Sequence, residues 1–386
     1  MPSSRRRIRV VSCIDNMRVG GTELNAVRTA ERLDRNRFDL SVVCLSEEGP
    51  LRERYRSAGI PVQEFSIHSL YGAHTLQQGF RLGSYLREIG AEIVHAHDVY
   101  SNVFSAVWAR LFGVPVVIAS RRWWKHVPRA AHGIGNRLSY LMAHRILANS
   151  EAVAHLLTTS EHVSARRVFV IPNFVDDATF ESIDQAARCR MRAELDCAEG
   201  DFVVGSISRL HPVKDLSSLL RAVHTLASRW PTLRLVLVGD GECRAPLEAE
   251  AAALGIADRV RFAGMRPQEP NLHAAFDISV CCSLSEGFPN SVVEAMAAGR
   301  PVVATNVGGI PDAVEHDRTG LLVEVGDSTR LADAIELLLN DPEKRRRFGD
   351  AGRELARERF SATRVMAKLE STYEQLVHHA LGKRAS

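Results

Sequence analysis

The sequence predicts an α/β protein with two doubly wound domains, and three observations carry this prediction. Strand-like and helix-like segments alternate along almost the whole chain. The strand candidates are continuous runs of β-branched and other apolar residues, which is typical of parallel strands buried on both faces. The length of 386 residues exceeds one typical domain core and suits two.

Seven strands are predicted in the first half and six in the second, with helical patterns between them. The first seven cover residues 8–14, 38–46, 61–67, 92–97, 115–120, 145–149 and 168–172. The other six cover residues 202–208, 233–239, 260–264, 278–283, 301–305 and 320–325. Polar residues gather between Asn173 and Gln185, so the predicted domains are 1–177 and 178–360. From Ser328 onward the pattern is helical, and a final helix is predicted over 361–386.

Charge is unevenly distributed along the chain. Residues 1–180 carry 23 basic and 16 acidic side chains, a net charge of +7, whereas residues 181–386 carry 26 and 30, a net charge of −4. This asymmetry favours an anionic partner or surface for the first domain, and chance scatter of solvated charge is the alternative.

Cysteine spacing and hydropathy bear on location. The seven cysteines form no C-x-x-C pair, which favours reduced cytosolic thiols over a disulfide framework or a zinc site. No apolar stretch approaches the ~18–20 residues of a membrane span.

Ligands of open α/β sheets bind beyond the carboxyl ends of the strands, so the residues that follow each strand are the site candidates. After the first strand, Gly20 and Gly21 allow close approach of backbone, and Thr22 is the expected N-cap of the next helix. This turn is a candidate phosphate cradle, and a simple tight turn is the alternative. It lacks the G-x-G-x-x-G pattern of a dinucleotide site.

Two strand ends of the second half carry further candidates. Arg209 and Lys214 follow residues 202–208 and could clamp a diphosphate, or be solvated surface cations. Asp240 follows the strand 233–239, where Gly239 and Gly241 make a tight turn to the next helix. This turn could border a nucleotide or be turn chemistry alone.

The stretch "EGFPNSVVE" holds two glutamates, Glu286 before a short helix and Glu294 on its second turn. Their separation of up to ~12 Å exceeds the ~5–9.5 Å of hydrolytic carboxylate pairs and suits two ends of one elongated ligand. The predicted helix N-terminus favours an anion there. The residues at this N-terminus are Gly287, Phe288, Pro289, Asn290 and Ser291.

In the first half, "VHAHD" and "SRRWWKH" follow the fourth and fifth strands. His95 and His97 share one strand face, and a cleft or core histidine is favoured over a metal ligand because no third ligand lies near. Arg121, Arg122 and Trp123, with Lys125 beyond them, could bind a sugar, a lipid diphosphate or a membrane surface. Packed indoles with solvated cations are the alternative, and no nucleic-acid module surrounds them.

Together these segments resemble the group 1 retaining glycosyltransferases of GT-B architecture, in which two Rossmann-like domains face each other across a cleft. The resemblance rests on "EGFPNSVVE" with "AMAAGRPVVAT", "GSISRLHPVKD", "LVLVGDGE", "VRFAG", "IPNFVD" and "VGGIPDAVEHDRTGLLV", and it covers essentially the whole chain. It implies a nucleotide-diphosphate sugar, in particular a UDP-sugar, as the donor. It also implies transfer with retention of configuration and without a metal or other cofactor.

The resemblance also implies roles for individual residues. Glu294 would hold the ribose hydroxyls and Glu286 the donor sugar, while Arg209 and Lys214 would neutralise the diphosphate, with help from the Gly20–Gly21 turn and the helix N-terminus near Asn290. Met265 and Arg266 would meet the base. His97, Arg121, Arg122 and Trp123 would line the acceptor side.

Two departures from the family pattern stand out. Many members carry a histidine after the fifth strand, where this chain has Ser120, Arg121 and Arg122, so an arginine is expected to take over that contact. Phe174 replaces the glycine of the usual "PNGVD". The similarity to polysaccharide and lipopolysaccharide enzymes implies a glycan or polyprenyl-diphosphate-linked acceptor. The basic first half would suit docking of a cytoplasmic protein on the anionic inner membrane face. The final helix is expected to return to the first domain.

Two other functions remain open from the sequence. A UDP-sugar 2-epimerase shares the architecture, but it is expected to lack this order of the two glutamates. A nucleotide-sugar-binding scaffold without turnover is the non-enzymatic alternative, and the presence of Glu286, Glu294, Arg209 and Lys214 argues against it.

Overall fold

The structure is a computed structural model that describes residues 6–124, 130–181, 183–266 and 272–385. The chain divides into two compact units. Unit 1 comprises Met1–Asn173 and Val365–Ser386, and unit 2 comprises Phe174–Arg364. The division after Asn173 falls slightly before the expected 177/178 boundary. Residues of the final helix therefore belong to the same unit as the first strand.

Unit 1 contains a seven-stranded, all-parallel sheet with the order β3-β2-β1-β4-β5-β6-β7. Its strands are β1 Ile8–Ile14, β2 Phe38–Cys44, β3 Val62–Glu64, β4 Ile93–Ala96, β5 Val116–Arg121, β6 Arg145–Ala148 and β7 Val168–Val170. Its helices are α1 Gly21–Arg32, α2 Leu51–Ser57, α3 Ala73–Glu88, α4 Val99–Leu111, α5 Ala130–Met142 and α6 Glu151–Thr159.

Unit 2 contains a six-stranded parallel sheet with the order β10-β9-β8-β11-β12-β13. Its strands are β8 Phe202–Ile207, β9 Leu233–Val238, β10 Val260–Gly264, β11 Ile278–Cys281, β12 Val302–Thr305 and β13 Gly320–Val323. Its helices are α7 Gln185–Glu194, α8 Leu216–Ala227, α9 Arg244–Ala253, α10 Asn290–Ala297, α11 Ile310–Ala313, α12 Ser328–Asn340 and α13 Pro342–Phe360. The last helix, α14, spans Ala362–Ala385.

All thirteen predicted strands are present, and the fold class is the predicted one. Burial explains why the sequence pattern was sufficient: every residue of β4 and β5 is buried, as expected for strands covered on both faces. The largest shortening is at β3, Val62–Glu64 against the predicted 61–67. Because β3 is an edge strand with one neighbour, fewer of its residues find a ladder partner.

Strand order places a topological switch point in each sheet. In unit 1 the chain moves outward from β1 through β2 and β3, then crosses to β4 on the other side of β1. In unit 2 the equivalent neighbours are β8 and β11. A crevice forms at the carboxyl ends of such strand pairs, because their following loops turn in opposite directions.

Two further observations concern the whole chain. Within the described ranges, no helix combines the length and the apolar character needed to cross a bilayer. All seven cysteines are free thiols.

Candidate active site

Lys214 and Glu286 meet at the switch point of unit 2. Lys214 ends a short 3₁₀ turn, Pro212–Lys214, that follows β8, and Glu286 lies in the loop after β11. The Lys214 ammonium Nζ donates to Glu286 Oε2 at 2.5 Å. The two side chains are only 22% and 17% exposed, so this is a half-buried ion pair in the crevice where ligands of such sheets bind.

Backbone contacts hold the two loops in this arrangement. The Leu284 amide donates to the carbonyl of Val213 at 2.8 Å, which ties the β11 loop to the β8 loop. The Gly309 amide donates to the Glu286 carbonyl at 3.0 Å. The hydroxyl of Ser283 also donates to Glu286 Oε2 at 3.3 Å. The loop that carries Glu286 is therefore held by two backbone hydrogen bonds, and its carboxylate by Lys214 and Ser283.

The charge of Lys214 is stabilised in place. Burial is the largest single influence and would lower the pKa of the ammonium. The charge and hydrogen bond of Glu286, together with the nearby Cys281 and Cys282, outweigh burial, and the net pKa lies above its ordinary value. Lys214 therefore stays protonated throughout the physiological range. A permanently charged donor at a strand's carboxyl end can neutralise an anionic ligand group.

Arg209 has a different environment from Lys214. Its guanidinium is 69% exposed and donates to Glu242 Oε2 at 3.2 Å. Solvent screens an exposed pair of this kind, so it contributes little and breaks readily when a stronger acceptor is offered. The structure thus does not join Arg209 to the Lys214–Glu286 pair, and it leaves the guanidinium accessible.

Helix α10 begins at Asn290, immediately after Pro289, as the sequence pattern predicts. Gly299, with a φ of +69°, follows its C-cap and ends it. Gly287, Phe288 and Pro289 are buried. The Phe288 ring packs edge-on against another aromatic ring of the unit 2 core, so this residue can offer a ligand only its backbone.

Glu294 and Ser291 are half-buried on α10. The Ser291 hydroxyl lies 3.5 Å from His273 Nε2, and the other ring nitrogen of His273 bonds to Ser279. Burial lowers the pKa of His273 to about 3, so this ring is neutral. Glu294 lies on the second helical turn, as predicted.

The turn after β9 requires glycine. Gly239 has a φ of +131°, and a Cβ there would stand 1.9 Å from the carbonyl oxygen of Ser208. The Gly239 amide donates to the Gly264 carbonyl at 2.9 Å, which brings this turn next to Met265 at the end of β10. The Asp240 carboxylate accepts from the next amide in the chain at 2.8 Å.

Met265 and Arg266 lie beside this turn. Met265 is 63% exposed, a high value for a large apolar side chain. The Arg266 guanidinium donates to the backbone carbonyl of Glu194 at 3.0 Å.

In unit 1, helix α1 begins at the Gly20–Gly21 turn, but its N-cap is not the predicted residue. The N-cap is Gly20 rather than Thr22, which lies within the first helical turn, and no side chain caps the helix. A Cβ on Gly20 would stand 2.3 Å from Glu23 Oε2, so the Glu23 carboxylate folds back over the helix start. Burial raises the pKa of Glu23.

Arg122 organises a buried polar cluster after β5. Its guanidinium donates to Asn25 Oδ1 at 2.8 Å, to Asn173 Oδ1 at 2.9 Å and to His97 Nδ1 at 3.1 Å. Because arginine only donates, His97 Nδ1 must accept. The neutral His97 ring therefore carries its proton on Nε2 and donates to Ser12 Oγ at 2.9 Å. Burial lowers the pKa of Arg122 to about 10.

His95 continues this cluster toward the last helix. Its Nδ1 lies 2.6 Å from the hydroxyl of Tyr373 on α14, and its Nε2 lies 2.8 Å from Ser120 Oγ. The His95 and His97 rings stack at 4.2 Å, which confirms that they share a strand face. Burial lowers the pKa of His95 to about 3 and that of His97 well below its ordinary value, so both rings are neutral.

Two carboxylates at the start of α4 complete the unit 1 switch point. Asp15 follows β1 and accepts from the amides of Ser101 at 2.6 Å and Tyr100 at 3.2 Å. Asp98 caps the same helix. Burial and the neighbouring Asp98 raise the pKa of Asp15 to about 7. Asp15 was not among the residues predicted from the sequence, although its place directly after a strand could have identified it.

Arg121 is buried in unit 1, and Trp123 is half-buried beside it. Arg121 is the last residue of β5 rather than the first of the following loop, and it is 2% exposed. Its guanidinium pairs with Glu161 at 2.9 Å and stacks on the Trp123 ring at 4.4 Å. This burial and pairing disfavour Arg121 as an acceptor contact. Lys125 lies outside the described residues.

Within the described ranges, no three histidine, cysteine, aspartate or glutamate side chains converge to hold a metal ion.

Comparison with known proteins assigns the family. The model for Glycosyltransferase Family 4 matches residues 19–179, and that for glycosyl transferases group 1 matches residues 188–355. N-acetyl-alpha-D-glucosaminyl L-malate synthase of Bacillus anthracis is 31% identical over 81% of this chain and 82% of its own length. The chain belongs to the group 1 glycosyltransferases.

Other relatives of this glycosyltransferase agree in sequence and in fold. Putative glycosyltransferase EpsD of Bacillus subtilis is 31% identical over 73% of this chain and 76% of its own length. The crystal structure of Anabaena Alr3699/HepE in complex with UDP-glucose matches with a TM-score of 0.83 and 25% identity, over 96% of this chain and all of the other. The fold class of the glycosyltransferase is GT-B, as predicted.

Proposed function

We propose that this glycosyltransferase transfers a sugar from a UDP-sugar to a glycan or lipid-linked acceptor in cell-surface polysaccharide synthesis, with retention of anomeric configuration. The observation that carries the proposal is the Lys214–Glu286 ion pair at the unit 2 switch point. A charged ammonium in that crevice suits a diphosphate, and the accompanying carboxylate suits sugar hydroxyls. UDP-glucose bound to the Anabaena relative supports this donor class.

The proposed chemistry is charge stabilisation and orientation. As the bond between sugar and diphosphate breaks, negative charge develops on the phosphate oxygens. Lys214 would stabilise this charge from its fixed position, and Arg209 would exchange its weak surface pair with Glu242 for the diphosphate. Glu286 would hold the donor sugar and Glu294 the ribose. In this proposal the cations neutralise the diphosphate without a divalent metal.

The acceptor side is proposed in unit 1, near His97 and Arg122. The net charge of +7 over residues 1–180 supports association with an anionic inner membrane face. The names of the relatives describe synthesis and glycosyl transfer, which favours transfer over the epimerase and scaffold alternatives.

A thermal-shift titration tests the donor assignment. The melting temperatures of the wild type and Glu294→Ala are measured with UDP-, GDP- and ADP-sugars. A rise that is specific for one UDP-sugar and is lost in the variant is expected. Equal rises for all three bases would refute the assignment of UDP. NMR of the product then identifies its anomeric configuration, and inversion would contradict the proposed retention.

A further inference from the structure

A groove of about 540 Å³ lies in unit 1 between the edge strand β3 and helix α3. None of its lining residues belongs to the candidate active site. The helix contributes one stripe of side chains from Gln77 to Glu88, a length of about 16 Å at ~1.5 Å per residue. The volume lies within the usual range of ~300–1,000 Å³ for ligand sites, and the elongated lining suits an extended chain.

Aromatic rings form the apolar part of the groove. Phe65, which directly follows β3, and Tyr85 of α3 pack together with ring centroids 5.8 Å apart at the floor of the groove, where Phe65 is only 3% exposed. Phe80 lines it as well and is 60% exposed, although one side of its ring contacts Trp108 at 4.9 Å. The flat apolar surface offered to a ligand therefore comes from the exposed Phe80 ring and the half-buried Tyr85 ring.

Polar side chains alternate with these rings. Gln77, Ser84 and Glu88 line the groove and are exposed, and within the described residues their side chains make no hydrogen bond to protein. Gln63 adds a second amide from the edge strand. Amides and hydroxyls both donate and accept, so the groove offers both kinds of partner to a polyhydroxylated ligand.

The charge of the groove is balanced. Arg81 and Glu88 are its two charged residues, one of each sign. This balance disfavours a polyanion or an anionic membrane as the occupant, although the first half of the chain is basic overall. Flat rings, exposed amides and no net charge together match a neutral carbohydrate chain.

We propose that the groove between β3 and α3 binds a neutral segment of the glycan acceptor, away from the reacting end. This inference rests on the proposed function, because it takes a growing glycan as the acceptor. Binding a distant segment would keep the polymer attached between transfers and raise the effective concentration of its end.

The test is affinity electrophoresis of the full chain in native gels that contain dextran, yeast mannan, galactan or mixed-linkage β-glucan. Retardation in at least one gel is expected, and Phe80→Ala and Gln77→Ala should each weaken the apparent affinity about fivefold or more. The matched control is Leu76→Ala, because Leu76 is exposed on the same helix one turn away and does not line the groove. This control should migrate like the wild type.

Several outcomes would overturn the proposal: no retardation in any of the four gels, equal retardation of the Phe80 and Gln77 variants and the wild type, or loss of binding in Leu76→Ala. Dimerisation that Phe80→Ala abolishes would assign the groove to a second copy of the chain instead. The groove variants should retain the melting-temperature rise with UDP-sugar. A failure of the groove is thereby distinguished from a failure of the donor assignment.

Discussion

At the scale of single residues, Lys214 and Glu286 form an ion pair that suits a ligand with both an anionic group and hydroxyl groups. Each is half-buried, so removal of one partner leaves the other as an incompletely solvated charge. In the structure the two charges neutralise each other. A bound diphosphate would compete with Glu286 for the ammonium, and the released carboxylate would then be available to hydroxyl groups.

Replacement of Lys214 tests the role of this charge. Lys214→Ala should lower turnover by on the order of 10²-fold or more, because the developing phosphate charge loses its fixed cation. Turnover is measured as UDP release at saturating donor. The matched control is Lys344→Ala, which removes a lysine paired with Asp317 at 2.8 Å elsewhere in unit 2 and should leave turnover unchanged. Wild-type turnover in Lys214→Ala would exclude the diphosphate role.

Replacement of Asp15 tests the half-buried acid at the switch point of unit 1. Its pKa of about 7 lies above the ordinary value of 3.8, so the native state binds the proton more tightly than the unfolded chain. The stabilisation from this proton is complete below about pH 4 and is lost as the pH rises to about 7. Asp15→Asn removes the buried charge and should raise the Tm more at pH 8 than at pH 5.

A pH series of thermal melts checks the direction in which the effect of Asp15→Asn on the Tm changes with pH. Asp39→Asn changes an exposed carboxylate of β2 and serves as the control, with no comparable difference between the two pH values. If Asp15→Asn lowers the Tm at pH 8, the charged carboxylate stabilises the start of α4 and the assignment of a raised pKa is wrong.

At the scale of elements, helix α14 is bound to the sheet of unit 1 through polar contacts. Tyr373 reaches His95 on β4, and Glu370 accepts from Arg37 at 2.6 Å. His95 in turn stacks on His97, whose tautomer Arg122 fixes. The final helix is thus connected through two rings to the cluster proposed for the acceptor side.

Tyr373→Phe isolates this connection. The ring keeps its packing, but His95 Nδ1 loses its partner in a buried environment, which costs about 1–3 kcal/mol. The Tm should fall by roughly 2–12 °C. Tyr71→Phe is the control because Tyr71 is 70% exposed, and it should melt like the wild type. An unchanged Tm in Tyr373→Phe would show that the hydrogen bond contributes nothing to stability.

The positions of strands and helix ends are features that the sequence could predict in part. Strand positions follow from local apolar runs, and the end of α10 follows from Gly299 and Pro301, so these predictions were correct. The N-cap of α1 was assigned to Thr22 on preference alone, whereas the chain takes its extended conformation at Gly20. The preferences of single residues do not show at which residue the backbone first takes helical dihedral angles.

The sequence could not predict which side chains contact each other, for a different reason. His95 and Tyr373 are far apart in the chain, and nothing in either segment specifies the other. Arg121 was expected in a loop, but β5 extends through it and directs it toward Glu161. The contact between Lys214 and Glu286 was not predicted either, because it depends on β8 and β11 being neighbours in the sheet.

At the scale of the whole molecule, unit 1 is built from both ends of the chain. Val365, Met366, Leu369 and Val377 of α14 are each about 5% exposed, so they belong to a buried interface. Burial of four such side chains contributes about 6–12 kcal/mol, comparable with the ~5–15 kcal/mol that stabilises a typical domain. Unit 1 therefore depends on a helix that the chain reaches only after unit 2.

Truncation tests this dependence. A chain that ends at Arg364 should lose the cooperative melting of unit 1 and aggregate, since the apolar surface that α14 covers is exposed. A chain that ends at Leu381 keeps the buried residues and should melt within a few degrees of the full length. Circular dichroism melts and size-exclusion chromatography make the comparison. If the chain that ends at Arg364 is soluble and unit 1 still melts cooperatively, unit 1 does not depend on α14.

The division of unit 1 between the two chain ends has a consequence during translation. When the ribosome has produced Met1–Asn173, the surface destined for α14 has no cover. At about 5–20 residues per second, synthesis of Phe174–Arg364 takes on the order of tens of seconds. During that time the nascent first unit exposes apolar surface that a chaperone can bind. Slow codons or a ribosome stall within the second half would therefore lower the yield of the first.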